Sequence, residues 1–104
     1  MFPGKMGKML QKAQKAQAKM QEEIAAIEVE GRAGGGAVRA LVDGQKAVLE
    51  LKIDPEVLEE PDAEMLADLV LAAIADGHKR IDEQVQEKMQ ALTSMLGLPP
   101  GMGL

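Results

Sequence analysis

The chain has 104 residues, a formal net charge of −5, one His, no Cys and a single aromatic residue, Phe2. The length fits one domain. The composition excludes disulfides, thiol nucleophiles, thiolate and multi-His metal sites, and base-stacking platforms built on aromatic rings.

The charge is unevenly placed. Residues 1–21 carry Lys5, Lys8, Lys12, Lys15 and Lys19 and no acid, for +5, whereas residues 22–104 carry −10. An acidic average therefore covers a basic arm on an acidic body, an asymmetry that points to polyanion or membrane contact.

From Lys5 to about Ile27 the spacing predicts a helix. Met6, Met9, Leu10, Ala13, Ala16, Met20, Ile24 and Ile27 recur mostly at steps of three and four, with Lys, Gln, Ala and Glu between them. Glu28 to Ala33 reads as a strand and Gly34-Gly35-Gly36 as a flexible connector. Ala37 to Val42 and Lys46 to Ile53 read as two further strands joined at Asp43-Gly44, a two-residue hairpin signal of the kind that uses positive φ. Pairing Val42 with Gln45 puts Val38, Ala40, Ala47, Leu49, Leu51 and Ile53 on one face and Arg39, Lys46, Glu50 and Lys52 on the other. Asp54-Pro55 ends the last strand, and residues 55–61 leave room for one short helical turn. Asp62 is a natural N-cap for a second helix from Ala63 to about Leu96, stopped by Gly97 and Pro99-Pro100. Residues 98–104 read as a flexible tail.

The second helix is too long for its own domain. About 34 helical residues span roughly 50 Å, whereas a compact chain of this size is only about 35 Å across. Met89, Leu92, Met95 and Leu96 would lie bare in a monomer, and a symmetric second copy is the simplest cover. A homodimer is expected.

The five lysines, spaced 3, 4, 3, 4, form one stripe along the first helix. A row of ammonium groups can follow a row of phosphates, and Lys, a point charge without fixed geometry, suits contacts that ignore sequence. The bland alternative is a solvated face beside a coiled-coil seam. That alternative normally mixes signs into i,i+4 pairs, and this stripe contains no acid. A basic helix could also lie on an anionic membrane, but this one has only Ala13 and Ala16 at the middle of its apolar side. The glycine run leads into a strand rather than a helix, unlike a phosphate loop. His78 lacks a catalytic partner, the carboxylates at 54–68 lack the order of a calcium loop, and no nucleophile, base and oxyanion set assembles. No enzyme activity, cofactor, metal or small-molecule substrate is expected. No segment approaches the roughly 18–20 apolar residues of a membrane span, and Met1-Phe2-Pro3-Gly4-Lys5 lacks the uninterrupted apolar stretch expected of a signal peptide. A cytosolic location without membrane attachment is the default.

The order of parts carries a resemblance. Ile27-Glu28-Val29-Glu30-Gly31 precedes Ala33-Gly34-Gly35-Gly36-Ala37-Val38. Then come Asp54-Pro55, Glu64-Met65-Leu66-Ala67-Asp68-Leu69, Glu87-Lys88-Met89 and Leu98-Pro99-Pro100-Gly101-Met102. The chain resembles the YbaB/EbfC family of bacterial nucleoid-associated proteins over nearly its whole length, departing at Ala75-Asp76-Gly77-His78. The resemblance implies an α+β fold of helix, three-stranded antiparallel sheet and long helix. It also implies an intertwined homodimer with projecting helical arms, dimerising through its sheet region. It implies binding of double-stranded DNA with low sequence specificity in the nucleoid. Its arm-borne DNA contacts map onto Lys5, Lys8, Lys12, Lys15 and Lys19, with Lys79, Arg80 and Lys88 as further candidates. The rival reading is a protein-interaction adaptor that grips a partner with its amphipathic helices.

Overall fold

A computed structural model describes residues 4–60, 62–95 and Gly97. Helix α1 (Gly4–Ala25) leads into strand β1 (Glu28–Ala33), followed by β2 (Val38–Asp43), β3 (Val48–Ile53) and helix α2 (Ala63–Met95). The strands form one antiparallel sheet in the order β1-β2-β3. The architecture is the α+β class that the sequence pattern predicts. The predicted tail, residues 98–104, lies outside the described residues, as does Leu96, the expected end of the second helix.

One face of the sheet carries the core. Val29, Val38, Ala40 and Val42 point towards α2, which lies across β1 and β2 and contributes Ala73 and Ile81. Two glycines set the depth of that contact. At Gly31 a methyl would be built into the Ala73 carbonyl and the Gly77 backbone, and at Gly77 it would sit 2.8 Å from Val42 Cγ2. The strand and helix therefore meet backbone to backbone. Asp76, on the adjoining turn of α2, reaches round the edge of the sheet and accepts the Arg32 amide at 2.9 Å. That bond satisfies an outward N–H which an edge strand would otherwise leave open.

Both ends of α2 are chemically defined. Asp62 accepts the Met65 amide at 3.0 Å, as an N-cap should. Gly97, at φ 73°, closes the C-terminal end, its amide donating to the Ser94 carbonyl at 3.1 Å. Pro55–Leu58 forms the short turn, capped by Asp54 through the Glu56 amide at 3.1 Å.

Three details differ from expectation. First, α1 stops at Ala25, and Ile27 swings out of the helix to become core, 8% exposed, beside Val29, Val42 and Ile81. Second, the glycine run is a defined turn with φ of 62°, 70° and 95° at Gly34, Gly35 and Gly36, closed by the Ala37 amide on the Gly34 carbonyl at 3.3 Å. Third, the β2–β3 hairpin has a three-residue loop. The Lys46 amide returns to the Asp43 carbonyl at 2.9 Å, and the positive φ, 67°, falls on Lys46. Asp43 Oδ1 accepts the Gln45 and Ala47 amides at 2.9 and 3.0 Å, which stabilises this longer turn. Gly44 is needed for a different reason: a side chain there would strike the Ile24 carbonyl at the end of α1.

The longer loop changes the register. Val42 pairs with Val48 rather than Gln45, Ala40 pairs with Leu51, and a bulge lies between Leu41 and Val42. Val48 thereby replaces Ala47 on the apolar face. Because α2 covers β1 and β2 only, Val48, Leu49 and Leu51 stay 44%, 51% and 41% exposed.

Candidate nucleic-acid interface

Among the described residues, helix α1 packs against the body of the chain at its last turn, where Ile24 lies beside Ile27 and Gly44 closes on its end. None of its residues is buried. At 1.5 Å per residue the helix is about 33 Å long, and Lys5 to Lys19 cover about 21 Å of it. The projection shows in the dimensions of the chain, 69 × 24 × 16 Å, and in a radius of gyration of 19.7 Å, where a compact chain of this length would have about 13 Å.

Lys5, Lys8, Lys12, Lys15 and Lys19 are all exposed. Among the described residues, no carboxylate lies within ion-pair distance of any of them. Lys8 and Lys12, and Lys15 and Lys19, are like-charged neighbours one turn apart, an arrangement that disfavours an isolated helix. The stripe is a set of cations without internal counterions.

The candidates on α2 are placed differently. Lys79 is exposed, whereas Arg80 Nε donates to Asp76 Oδ2 at 3.0 Å. The Arg32 amide and the Arg80 guanidinium hold the Asp76 carboxyl below the usual carboxylate range, the amide contributing most. Lys88 is half-buried and lines an open groove of about 770 Å³ with Glu28, Glu30, Glu83 and Glu87. Helix α1 does not pack along α2, so the two sets of cations stand on separate elements. Met89 and Met95 near the far end of α2 are 36% and 84% exposed.

His78 serves structure. Its Nε2 donates to the Lys46 carbonyl at 3.1 Å, and Lys46 Nζ bridges to Asp82 Oδ1 at 3.0 Å. Together they pin the hairpin loop to α2. Among the described residues, no group of three or more His, Asp or Glu is placed to hold a metal ion. No helix among them is long and apolar enough to cross a membrane.

Comparison with known proteins decides the family. The model of the YbaB/EbfC DNA-binding family matches residues 2–96. The chain belongs to this family. A nucleoid-associated protein of Agrobacterium fabrum is 48% identical over 101 residues, covering 97% of this chain and 94% of the relative. A nucleoid-associated protein of Mesorhizobium japonicum is 46% identical over 101 residues, again covering 97% and 94%. The crystal structure of an uncharacterized protein from Helicobacter pylori superposes with a TM-score of 0.67 at 25% identity, covering 91% of this chain and 98% of that one. As a YbaB/EbfC chain, it presents its densest run of cations on the helix least engaged with its own core.

Proposed function

We propose that this protein binds double-stranded DNA as a homodimer in the bacterial nucleoid, with low sequence specificity, through the lysine stripe of α1. The observation that carries the reading is the stripe itself: five exposed ammonium groups on a projecting helix, without an ion-pair partner among the described residues. A duplex presents one negative charge per roughly 1.7 Å of axis, and its major groove of about 12 Å admits a helix. The stripe holds no Arg for bidentate reading of guanine, which favours backbone over base contacts. The protein acts by binding and organising DNA rather than by catalysis, and influences expression through that organisation. Lys79 and Arg80 add to the field from α2, with Lys88 a weaker contributor among its glutamates.

The bare apolar strip on β3 supports the dimer. Val48 and Leu51 lie on the same face as the core but stay exposed, Leu49 stands exposed at the bulge between them, and Ile53 at the end of the strand packs against the core. Leu71 stands 66% exposed on α2. It lies two turns before His78, which touches the β2–β3 loop, so it flanks the same strip. A symmetric copy laid over this strip buries it and presents two stripes.

Salt titration of binding to random duplex DNA tests the reading. Six neutralised phosphates per dimer give a slope of log affinity against log salt of about −5. Changing Lys8, Lys12 and Lys15 together to Gln flattens it by about 2–3 for each engaged arm and weakens all sequences alike. An unchanged slope rejects the stripe. Absence of binding even at low salt rejects DNA as the ligand and favours the adaptor reading.

A further inference from the structure

The face of the sheet turned away from α2 carries its own pattern of charge. The register sets Arg32 opposite Arg39 and Arg39 opposite Lys52, so three cations form one straight row across all three strands. The neighbouring row on that face is Glu30, Leu41 and Glu50. The Arg32 amide points out of the sheet to Asp76. Arg32 and Arg39 are therefore a narrowly spaced, non-hydrogen-bonded pair, in which facing side chains come closest. Like charges set directly opposite one another destabilise a sheet. The end cations have partial relief, Arg32 from Glu30 at 2.9 Å and Lys52 from Glu50 at 3.8 Å. Arg39, in the middle, has no carboxylate within ion-pair distance among the described residues. It stands flanked by two cations, with Leu41 as its neighbour on the same face of its strand.

We infer that this row is a second phosphate-binding site, taking the phosphodiester backbone of nucleic acid with Arg39 as its anchor. The row spans about 10 Å between its outer Cα atoms, the length of roughly three base-pair rises of 3.4 Å. A guanidinium offers a planar fork that matches phosphate oxygens in pairs. Glu30 and Glu50 pair with the two end side chains and line a small hollow with Arg39, Leu41 and Lys52, which leaves Arg39 without a direct ion pair among the described residues. Phosphate bound there relieves repulsion that the free protein carries. The site lies on the opposite face of the sheet from the bare apolar strip on β3, so a dimer formed over that strip leaves the row open. The inference rests on the reading of the protein as a DNA binder and adds a contact that the helical arms do not supply.

Salt titrations of duplex binding by the full chain and by Arg39→Gln, each with and without the Lys8, Lys12 and Lys15 to Gln changes, separate the two sites. Arg39→Gln alone reduces the slope by about one per engaged copy, about an eightfold loss of affinity at 0.1 M salt. Arg39→Lys retains most of the slope, which excludes misfolding as the cause. In the free protein, Arg39→Gln raises the melting temperature at low salt, and the gain shrinks at high salt as the row is screened. A slope unchanged by Arg39→Gln, with the triple lysine change still effective, overturns the sheet site and leaves the stripe standing. Slopes unchanged by both reject both sites. A fall in melting temperature at low salt overturns the claim that the row is repulsive.

Discussion

Replacing Gly31 with Ala should be among the most damaging single-methyl changes in the body of the protein. The added Cβ would enter the space of the Ala73 carbonyl and the Gly77 amide, both backbone atoms that cannot rotate aside. Restoring an ordinary separation requires β1 and α2 to part by about 1–1.5 Å, and a gap of even 1 Å forfeits roughly a quarter to a half of the dispersion attraction across the interface. The atoms affected belong to Val29, Val42, Ala73 and Ile81, which supply most of the core at that level. Overpacking typically costs about 1–3 kcal/mol, and a clash of backbone on backbone belongs at the upper end. Alanine recovers about 0.5–1 kcal/mol through the smaller entropy of its unfolded chain. The net loss is about 2 kcal/mol, a large fraction of the ~5–15 kcal/mol that holds a domain together. Thermal and urea unfolding followed by circular dichroism, at one protein concentration because a dimer's stability depends on it, should show the melting temperature down by roughly 10–15 °C. Gly77→Ala is the internal contrast. Its methyl presses on the buried Val42 Cγ atoms and meets backbone only at an ordinary 3.6 Å from the Gly31 nitrogen, and the helix gains up to about 1 kcal/mol from losing a glycine. A Gly31→Ala chain that unfolds with the wild type, or Gly77→Ala as the more damaging change, would refute the reasoning.

Other outcomes follow from the same geometry. Leu51→Glu places a charge on the bare strip of β3 and should convert the proposed dimer to monomer in sedimentation equilibrium, with the helical signal of the monomer retained. Asp62→Ala removes the acceptor of the Met65 amide and should cost about 1 kcal/mol in urea unfolding. The Asp76 carboxyl has a lowered pKa in the folded chain. Its stabilising contribution is therefore complete above about pH 4, the unfolded value, and is lost as pH falls through the folded one. Asp76→Asn should lower stability at neutral pH and leave less to lose on acidification, measured as melting temperature against pH.

Much of the architecture could be read directly from the residues. Asp62 as the start of α2, Gly97 as its stop and the alternation in β2 all express local rules: a cap, a left-handed residue, a period of two. The hairpin register was not legible, because Asp43-Gly44 satisfies two turn types and only the surroundings choose between them. Gly44 is held by Ile24 at the end of α1, twenty residues earlier, and Lys46 takes the strained backbone position while its side chain bridges to Asp82. The meeting of Gly31 with Gly77 is equally non-local, since neither residue breaks its own element and their common purpose exists only across the strand–helix contact. For the candidate interface, the lysine stripe was plain in spacing and sign. The row of Arg32, Arg39 and Lys52 was hidden, because it depends on a register that the bulge displaces.

The attachment of α1 at one end gives the chain a division of labour. No side chain between Gly4 and Ala25 is buried, so the arm can be recharged, shortened or exchanged with little change to the packing of the sheet against α2. The polyanion contact proposed for the stripe would thereby be adjustable residue by residue on a scaffold that hardly registers the change. On the proposed reading, folding and binding lie on different stretches of the chain, and each can be tuned while the other is held constant.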